Sequence, residues 1–507
     1  MAAIILTTLN ARYSHCSLGL RYLLANMGEL GPETVLLEFI ITQRPIDIVE
    51  KLLQHESRII GFGVYIWNVE ETTKVVALLK QVHPEVTIVL GGPEVSYEYE
   101  DQAIVQLADY LICGPGEISF AKLCRRLLSE RRPAQKVISA ERVALTQLSL
   151  PYRLYTEEDI IQRVIYVEAS RGCPFKCEFC LSALDKTVYF FDLKRLLAEL
   201  EILYERGVRQ FRFVDRTFNL NVRFSLGILG FFLSHLDDGL FLHFELIPDH
   251  LPDQLKAAIK KFPKGSLQLE IGIQTFNPAV QALISRRQDN RVSEANLAWL
   301  RSATQAHLHA DLIAGLPGED LESFARGFNR LVALKPQEIQ VGILKRLRGT
   351  AIARHNSSYG IRYNPNPPYN ILCSELIDFA TLQRLSRFAR YWDMIANSGR
   401  FHRSLALLLG DQPFERFLRL SDWLYATTQQ THQIALDRLF DLIYRALTEA
   451  LGIGEEQARQ VLALDYRENG SRGRPSFLEQ GSGLETEEYK ARPAPGKLLR
   501  QRRHRSG

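Results

Sequence analysis

Short apolar runs alternate with amphipathic stretches of ten to fifteen residues across the first 130 positions, and this alternation restricts the fold more than any other feature of the chain. The runs IILTTL, VLLEFI, IIGFGVYIW, TIVLGG and YLICG read as strands. Between them lie SLGLRYLLANM, IDIVEKLLQ, VEETTKVVALLKQV, a helix near 100–108 and another from about Ile118. Strands joined through helices are parallel, because a helical crossover returns the chain to the starting edge of the sheet. Residues 1–130 are therefore expected to form a doubly wound, Rossmann-like α/β domain. Ligands of such sheets sit beyond the carboxyl ends of the strands, which singles out the loops Asn10–Gly19, Tyr65–Asn68, Gly91–Ser96 and Gly114–Glu117.

Residues 131–160 carry two prolines and little periodicity, and read as a connector. A second series follows, with strands RVIYVEAS, QFRFVDRTF, LHFELIPD, LQLEIGIQT, LHADLIAGL and EIQVGILK separated by helical stretches. Six strand–helix units in a row predict a partial (β/α)6 barrel over 161–370. The pattern then turns helical, giving an expected C-terminal helical domain over 371–466 and a basic tail over 467–507 without fixed structure.

The formal charge of +4 comes from that tail. Residues 490–507 hold seven Lys/Arg and no acid, so the rest of the chain has 62 − 7 = 55 bases against 58 acids. No general attraction to nucleic acid follows for the body of the protein. No run of about 18 apolar residues occurs, and the start reads as a strand rather than a signal peptide, which predicts a cytoplasmic protein with no membrane partner. Seven cysteines are too few and too unevenly placed for a disulfide framework.

Three of them, in Cys173-Pro-Phe-Lys-Cys177-Glu-Phe-Cys180, fall on the loop after the first barrel strand. Barrel enzymes place their chemistry at that end. Thiolates at this spacing can curl round one 4Fe-4S cube, yet such a cube normally has four cysteine ligands, so one iron is left open to a small molecule. A structural zinc site would require a fourth ligand, and no further Cys or His lies close in sequence.

Cys-x-x-x-Cys-x-aromatic-Cys on this loop resembles the radical S-adenosylmethionine superfamily, over roughly 160–350. The resemblance implies that the open iron chelates the amino and carboxylate groups of S-adenosylmethionine, whose reductive cleavage yields a 5′-deoxyadenosyl radical. It implies that Phe179 packs near the adenine and that Asp215, in FVDRTFN, accepts from the cofactor's amino group. Asp215 also reads as a loop carboxylate or helix cap. In Leu269–Thr275, Glu270, Gly272 and Gln274 alternate with Leu269, Ile271 and Ile273, so one strand face is polar and should line the barrel interior. By resemblance, Glu270 and Gln274 reach the ribose, Arg286 and Arg287 stand where the carboxylate is clamped, and the glycines of ADLIAGLPGE approach the adenine; the two arginines read equally as a solvent-facing pair.

An α/β domain ahead of such a barrel resembles the cobalamin-binding class of the superfamily, carried here by GFGVYIWN and VLGGPEVS. The residues this implies for cobalamin are Asn10, Ser14, Tyr65, Gly91, Gly92, Ser96 and Gly114. The Asp-x-His-x-x-Gly pattern, in which histidine ligates cobalt, is absent; His15 stands at the wrong spacing, and Asn10, Ser14 and Ser17 read as capping or phosphate-contacting groups at a helix start. The phrases GGPEVSY, FVDRTFN and DLIAGLPGE, with the helical C-terminus, resemble a branch of this class.

The resemblance implies a cobalamin-dependent radical enzyme that methylates an unactivated carbon, served by an electron donor such as flavodoxin or ferredoxin. Its substrate class, whether small molecule, peptide or RNA, is open. Three alternatives stand beside it: a radical rearrangement or cyclisation without methyl transfer; a tRNA methylthiotransferase, which carries three N-terminal cysteines as do Cys16, Cys113 and Cys124 here; and a non-catalytic cobalamin sensor. Trp67, His243, Glu245, Asp249, Lys345 and Arg346, at or near strand ends, are further candidates to face the active space.

Overall fold

The computed structural model describes residues 2–237, 239–469 and 475–479, and the chain divides into two compact bodies. The first comprises Met1–Glu245, Lys345–Ala353 and Asn364–Asn370; the second comprises Leu246–Leu344, Arg354–Tyr363 and Ile371 onward. Most of the basic tail, from 480 on, lies outside the described residues.

The first body opens with strands β1 (Ile4–Asn10), β2 (Thr34–Ile40), β3 (Ile59–Gly63), β4 (Thr87–Gly91), β5 (Tyr110–Cys113) and β6 (Val137–Ser139), and with helices α1 (Leu18–Ala25), α2 (Pro45–Leu53), α3 (Val69–Val82), α4 (Ala103–Leu107) and α5 (Glu117–Leu128). All strand pairs are parallel, in the order β2-β1-β3-β4-β5-β6. Helices cover both faces, so β1 is buried at all seven positions and reads as an unbroken apolar-and-threonine run. Strand order reverses between β1 and β3, where the crossovers leave in opposite directions and open a crevice at the carboxyl edge. The loops after these strands hold Asn10–Gly19 and Tyr65–Asn68. β6 is a departure from the sequence reading: three residues of the expected connector add an edge strand, too short to leave a periodic signal.

Glu38 on β2 fixes the loop after β1. One carboxylate oxygen accepts from Ser17 N (2.5 Å) and Asn10 Nδ2 (3.0 Å), and the other accepts from Arg21 (2.9 Å) and Arg163 (3.0 Å). Arg21 also donates to Asp159 (2.8 Å), on the short helix α6 (Glu157–Gln162), which a Thr156 capping box starts.

The same body continues through β7 (Ile165–Val167), the short antiparallel pair β8 (Ser170–Arg171) and β9 (Tyr189–Phe190), α7 (Leu193–Glu205), β10 (Gln210–Phe213), α8 (Val222–Ser234) and β11 (Phe241–Leu246, whose last residue opens the second body). β7, β10 and β11 are parallel neighbours. Phe211 and Phe213 pack on Phe232 of α8, which leaves the register partners Tyr166, Arg212 and His243 on the opposite face.

In the second body β12 (Leu267–Gln274), β13 (His307–Ala314) and β14 (Glu338–Ile343) are again parallel, which accounts for the remaining three of the six strand–helix units. Leu269, Ile271, Ile273, Leu308, Ala310, Ile339 and Val341 form their buried apolar face. Asn397 pairs with both the N–H and the C=O of Ile339 (2.9 Å each), standing in for a further strand. Beyond it the chain is helical, held by Phe328, Phe388, Trp392, Phe414 and Phe417, whose rings meet at about 5–6 Å between centroids, edge-on or tilted except for the parallel Phe388–Trp392 pair.

Candidate functional site

Four features hold the cysteine loop in the first body. Arg171, one residue before Gly172, donates to Glu168 (2.9 and 2.7 Å) and to Glu117 at the start of α5 (2.6 Å). Asp215, just past β10, receives Ala169 N on one oxygen (2.9 Å) and Ser170 Oγ on the other (2.5 Å). Gly172 has φ +89°, and a Cβ there would lie 1.9 Å from the Thr187 carbonyl oxygen, so only glycine lets the two strands approach. Cys173 N donates to Asp185 O (3.2 Å), and Cys180 N to Cys177 O (3.1 Å).

The loop thus presents three unbridged thiols, Cys173 and Cys177 each 8% exposed and Cys180 half-buried. Burial pushes the Cys173 thiol up, and the neighbouring Cys180 and Cys177 sulfurs push it further. Three thiols this close on one loop are a set whose joint deprotonation a cationic centre would stabilise. All three donors are sulfur, which suits an iron–sulfur cube that keeps one iron for another ligand. On this observation the residues fit a 4Fe-4S cluster. Phe179, between Cys177 and Cys180 in sequence, is half-buried.

Asp215 lies at the expected strand end, but its carboxylate faces inward. Burial raises it to about 7 against the opposing pull of its two donors. A cavity of about 710 Å³ opens beside the loop, lined among others by Glu117, Leu145, Arg171, Asp185 and Phe190; nothing in the sequence announced it.

At the carboxyl edge of the first sheet, Ser96 Oγ donates to Gly92 O (2.8 Å) and accepts from Gly114 N (3.3 Å), so three of the expected cobalamin residues form one patch. Gly92 has φ +111°, and a Cβ would lie 2.4 Å from Val64 O. Gly91 O accepts from Val64 N (2.8 Å), which ties the β4 end to the β3 loop. There Tyr65 and Trp67 stack at 4.5 Å with planes 7° apart, and Trp67 remains 49% exposed. A glycine surface beside a half-buried tyrosine stacked on an exposed tryptophan fits a flat macrocycle. Asn10 is drawn inward to His15 O and Glu38, and Ser17 caps α1 through Leu20 N (3.2 Å), as expected for a helix start. Ser14 is half-buried, its carbonyl accepting from Val164 N (2.9 Å). His15 Nδ1 lies 2.5 Å from the Tyr166 hydroxyl, and burial together with Arg212 and Arg12 lowers its pKa, favouring the neutral ring.

In the second body Glu270, Gly272 and Gln274 share the half-exposed face of β12 while Leu269, Ile271 and Ile273 are buried. Arg286 donates to Gly272 O and to Gln288 (3.0 and 2.8 Å), which holds its guanidinium against that face. The neighbouring strands extend the polar face with His309 and Asp311 (3.3 Å apart) and Glu338, which also meets His307 (2.9 Å). Burial opposes the charged His309 ring, but Asp311, then Glu338 and Glu270, raise its pKa, and burial raises that of Asp311. The i, i+2, i+4 spacing of His307, His309 and Asp311 was the signal in the sequence for this layer.

Other candidates are paired: Glu245 with Arg216 (2.7 Å), Arg346 with Glu98 (2.7 Å), and Asp249 with Asp289 N (2.8 Å). His243 is buried on β11, and Lys345 bridges to Asn370 through the backbone. Among the described residues no helix is long and apolar enough to cross a membrane.

Comparison with known proteins gives three consecutive matches: residues 4–124 to the B12 binding domain, 167–331 to the Radical SAM superfamily, and 357–494 to a protein family of unknown function, DUF4080. An uncharacterized methyltransferase of Pyrococcus horikoshii is 24% identical over 54% of this chain and 64% of its own length. The cobalamin-dependent radical SAM methyltransferase TokK of Streptomyces tokunonensis is 25% identical over 55% of this chain and 45% of its own. The chain therefore spans less than two thirds of the length of these relatives. The solved structure of the radical S-adenosylmethionine methyltransferase TsrM from Kitasatospora setae, with cobalamin and a [4Fe-4S] cluster bound, matches in fold at TM-score 0.58 and 16% identity, covering 75% of this chain and 82% of TsrM.

Proposed function

We propose that this chain, which matches the Radical SAM superfamily over 167–331 and the B12 binding domain over 4–124, methylates an unactivated carbon with S-adenosylmethionine and cobalamin. The observation that carries this reading is the presence in one body of the three-thiol loop and of the glycine patch around Ser96.

Cys173, Cys177 and Cys180 would hold the cluster; Glu270, Gln274 and Arg286 would hold S-adenosylmethionine, with Phe179 against the adenine. Tyr65, Trp67, Gly91, Gly92, Ser96 and Gly114 would hold the corrinoid. Bound there, the cluster supplies the electron that cleaves S-adenosylmethionine, and the corrinoid supplies the methyl group. The protein's own part is preorganisation. Arg171 and Asp215 fix the approach to Cys173 from both sides, so the thiolates need little rearrangement to take iron. Arg286 offers a planar cation already aimed by Gly272 O and Gln288. Asp215, with both oxygens engaged by Ala169 and Ser170, acts on this reading by holding the backbone.

Burial of Cys124 in the apolar core and the hydrogen bond of Cys16 to Val164 O (3.0 Å) weigh against a methylthiotransferase, whose second cluster needs accessible thiols. Burial pushes both thiols up to about 12. The electron would come from a one-electron donor such as flavodoxin or ferredoxin.

The test is anaerobic reconstitution followed by incubation with reduced flavodoxin as electron donor, methyl-labelled S-adenosylmethionine, and an extract of metabolites and RNA. The reading expects about four irons and one cobalamin per chain, 5′-deoxyadenosine, and a labelled product. About eight irons would favour two clusters. An isomerised product without label would replace methyl transfer by rearrangement, and iron without S-adenosylmethionine cleavage would sink the enzyme reading.

A further inference from the structure

The segment after β14 runs back onto the first sheet's carboxyl edge. Arg348 Nε donates to Glu94 Oε1 (2.9 Å), Arg348 Nη2 donates to the Tyr369 hydroxyl (2.9 Å), and that hydroxyl donates to the same Glu94 oxygen (2.6 Å). The guanidinium also stacks 4.9 Å from the Tyr369 ring centroid, and Glu94 is 4% exposed. Glu94 belongs to the Gly91–Ser96 loop.

Beside this triad, Arg346 donates to Glu98 Oε2 (2.7 Å) and Gly349 N to Glu98 Oε1 (3.1 Å). Gly349 has φ +78°, and a Cβ would lie 2.5 Å from Tyr97 Cγ, so no side chain fits at this crossing. Three residues on, Ile352 N donates to the carbonyl of Glu178, between Cys177 and Cys180 (3.0 Å). The chain from Gly349 to Ile352 spans at most about 10 Å. A tether this short transmits a displacement instead of absorbing it.

We propose that residues 345–353 form a strut that sets the spacing between the Gly91–Ser96 loop and the Cys173–Cys180 loop, with Arg348 as its positioning residue; this rests on the reading of those loops as corrinoid and cluster sites. A buried ion pair is a weak source of stability and a better source of a single arrangement, because breaking it leaves the buried Glu94 carboxylate without a counter-ion and held by the Tyr369 hydroxyl. Arginine is required at this position, since its planar fork reaches Glu94 and Tyr369 while stacking on the ring, and lysine can do only one of these. The spacing matters because chemistry shared between two cofactors is sensitive to misplacement, on the order of a hundredfold in rate per ångström.

The experiment uses the full-length, reconstituted protein as wild type, Arg348→Lys, Arg348→Ala and Gly349→Ala. Iron and cobalamin content, thermal unfolding, and the electron-spin distance between the reduced cluster and cob(II)alamin are measured on each. The strut predicts variants that retain both cofactors but show a distance distribution shifted or broadened by about an ångström or more. With cobalamin reduced to the cob(I) state by an added low-potential one-electron donor, passage of the methyl label from S-adenosylmethionine to it, with release of S-adenosylhomocysteine, should fall at least about tenfold. An unchanged distance and transfer rate in the folded variants, with or without a lower melting temperature, would overturn it, since the segment would then serve stability alone. Gly349→Ala and Arg348→Lys keep the test decisive if Arg348→Ala fails to fold. Wild-type protein that takes up iron and no cobalamin would overturn the underlying reading, and that result is visible without any variant.

Discussion

Asp215 offers a direct thermodynamic check on how the cysteine loop is held. Its carboxyl is raised from an ordinary 3.8 to about 7, principally by burial. In the unfolded chain the group ionises near 3.8, so between pH 4 and 7 the native state carries a proton that the unfolded state has lost. Stability therefore falls as pH rises through this window and levels off above about 7. A gap of roughly three units corresponds to about 4 kcal/mol in full, of which about 2.5 kcal/mol accrues between pH 5 and 7. Asp215→Asn removes the titration while keeping an oxygen for Ala169 N and an amide that can pair with Ser170 Oγ. Thermal unfolding of the reduced apoprotein and of the variant, from pH 5 to 8.5, isolates the effect. Glu319, which burial also raises to about 7, contributes equally to both proteins and cancels. The variant should gain on the wild type by roughly 2–5 °C between pH 5 and 7, with little further change above. A difference that stays constant with pH would refute the assignment of Asp215 as a buried acid that is neutral over much of this range.

Gly172→Ala places a methyl group 1.9 Å from Thr187 O at a left-handed φ, so reconstituted iron should fall by more than half while far-ultraviolet circular dichroism is unchanged; wild-type iron would show that the loop can shift. Glu38→Ala leaves Arg21 and Arg163 with Asp159 as their remaining shared carboxylate and should cost about 3 kcal/mol in urea unfolding, the low end for breaking a buried pair, with a loss below about 1 kcal/mol counting against its anchoring role. Arg286→Ala should raise the dissociation constant for S-adenosylmethionine at least about tenfold in equilibrium dialysis, with iron content unaltered, because a charge-assisted pair is worth about 1.5–3 kcal/mol; unaltered affinity would remove Arg286 from the site.

Much of this protein is written locally. The parallel strands show in apolar runs with crossover-length helices between them, because a strand buried on both faces must be apolar along its whole length. The cysteine loop shows in its spacing, and the polar face of Leu267–Gln274 in a period of two, since both follow from backbone geometry over a few residues. What stayed hidden joins distant parts of the chain. Arg348 meets Glu94 across 254 positions, and Arg163 meets Glu38 across 125; no window of sequence contains both members of either pair. Asp215 was legible as a strand-end carboxylate, but its direction was set by where Ala169 and Ser170 come to lie.

By itself, then, the sequence determined the two α/β series, the helical C-terminus and the three-sulfur loop, because each is encoded in the pattern of side chains along a short backbone. Only the tertiary structure decided that Ser96 draws Gly92 and Gly114 into one patch, that Asp215 turns inward, and that a segment beyond the sixth barrel strand returns to bind both the Gly91–Ser96 loop and Glu178. Those outcomes depend on which buried polar groups find partners once the chain is closed, a condition imposed on the whole fold and on no single stretch of it.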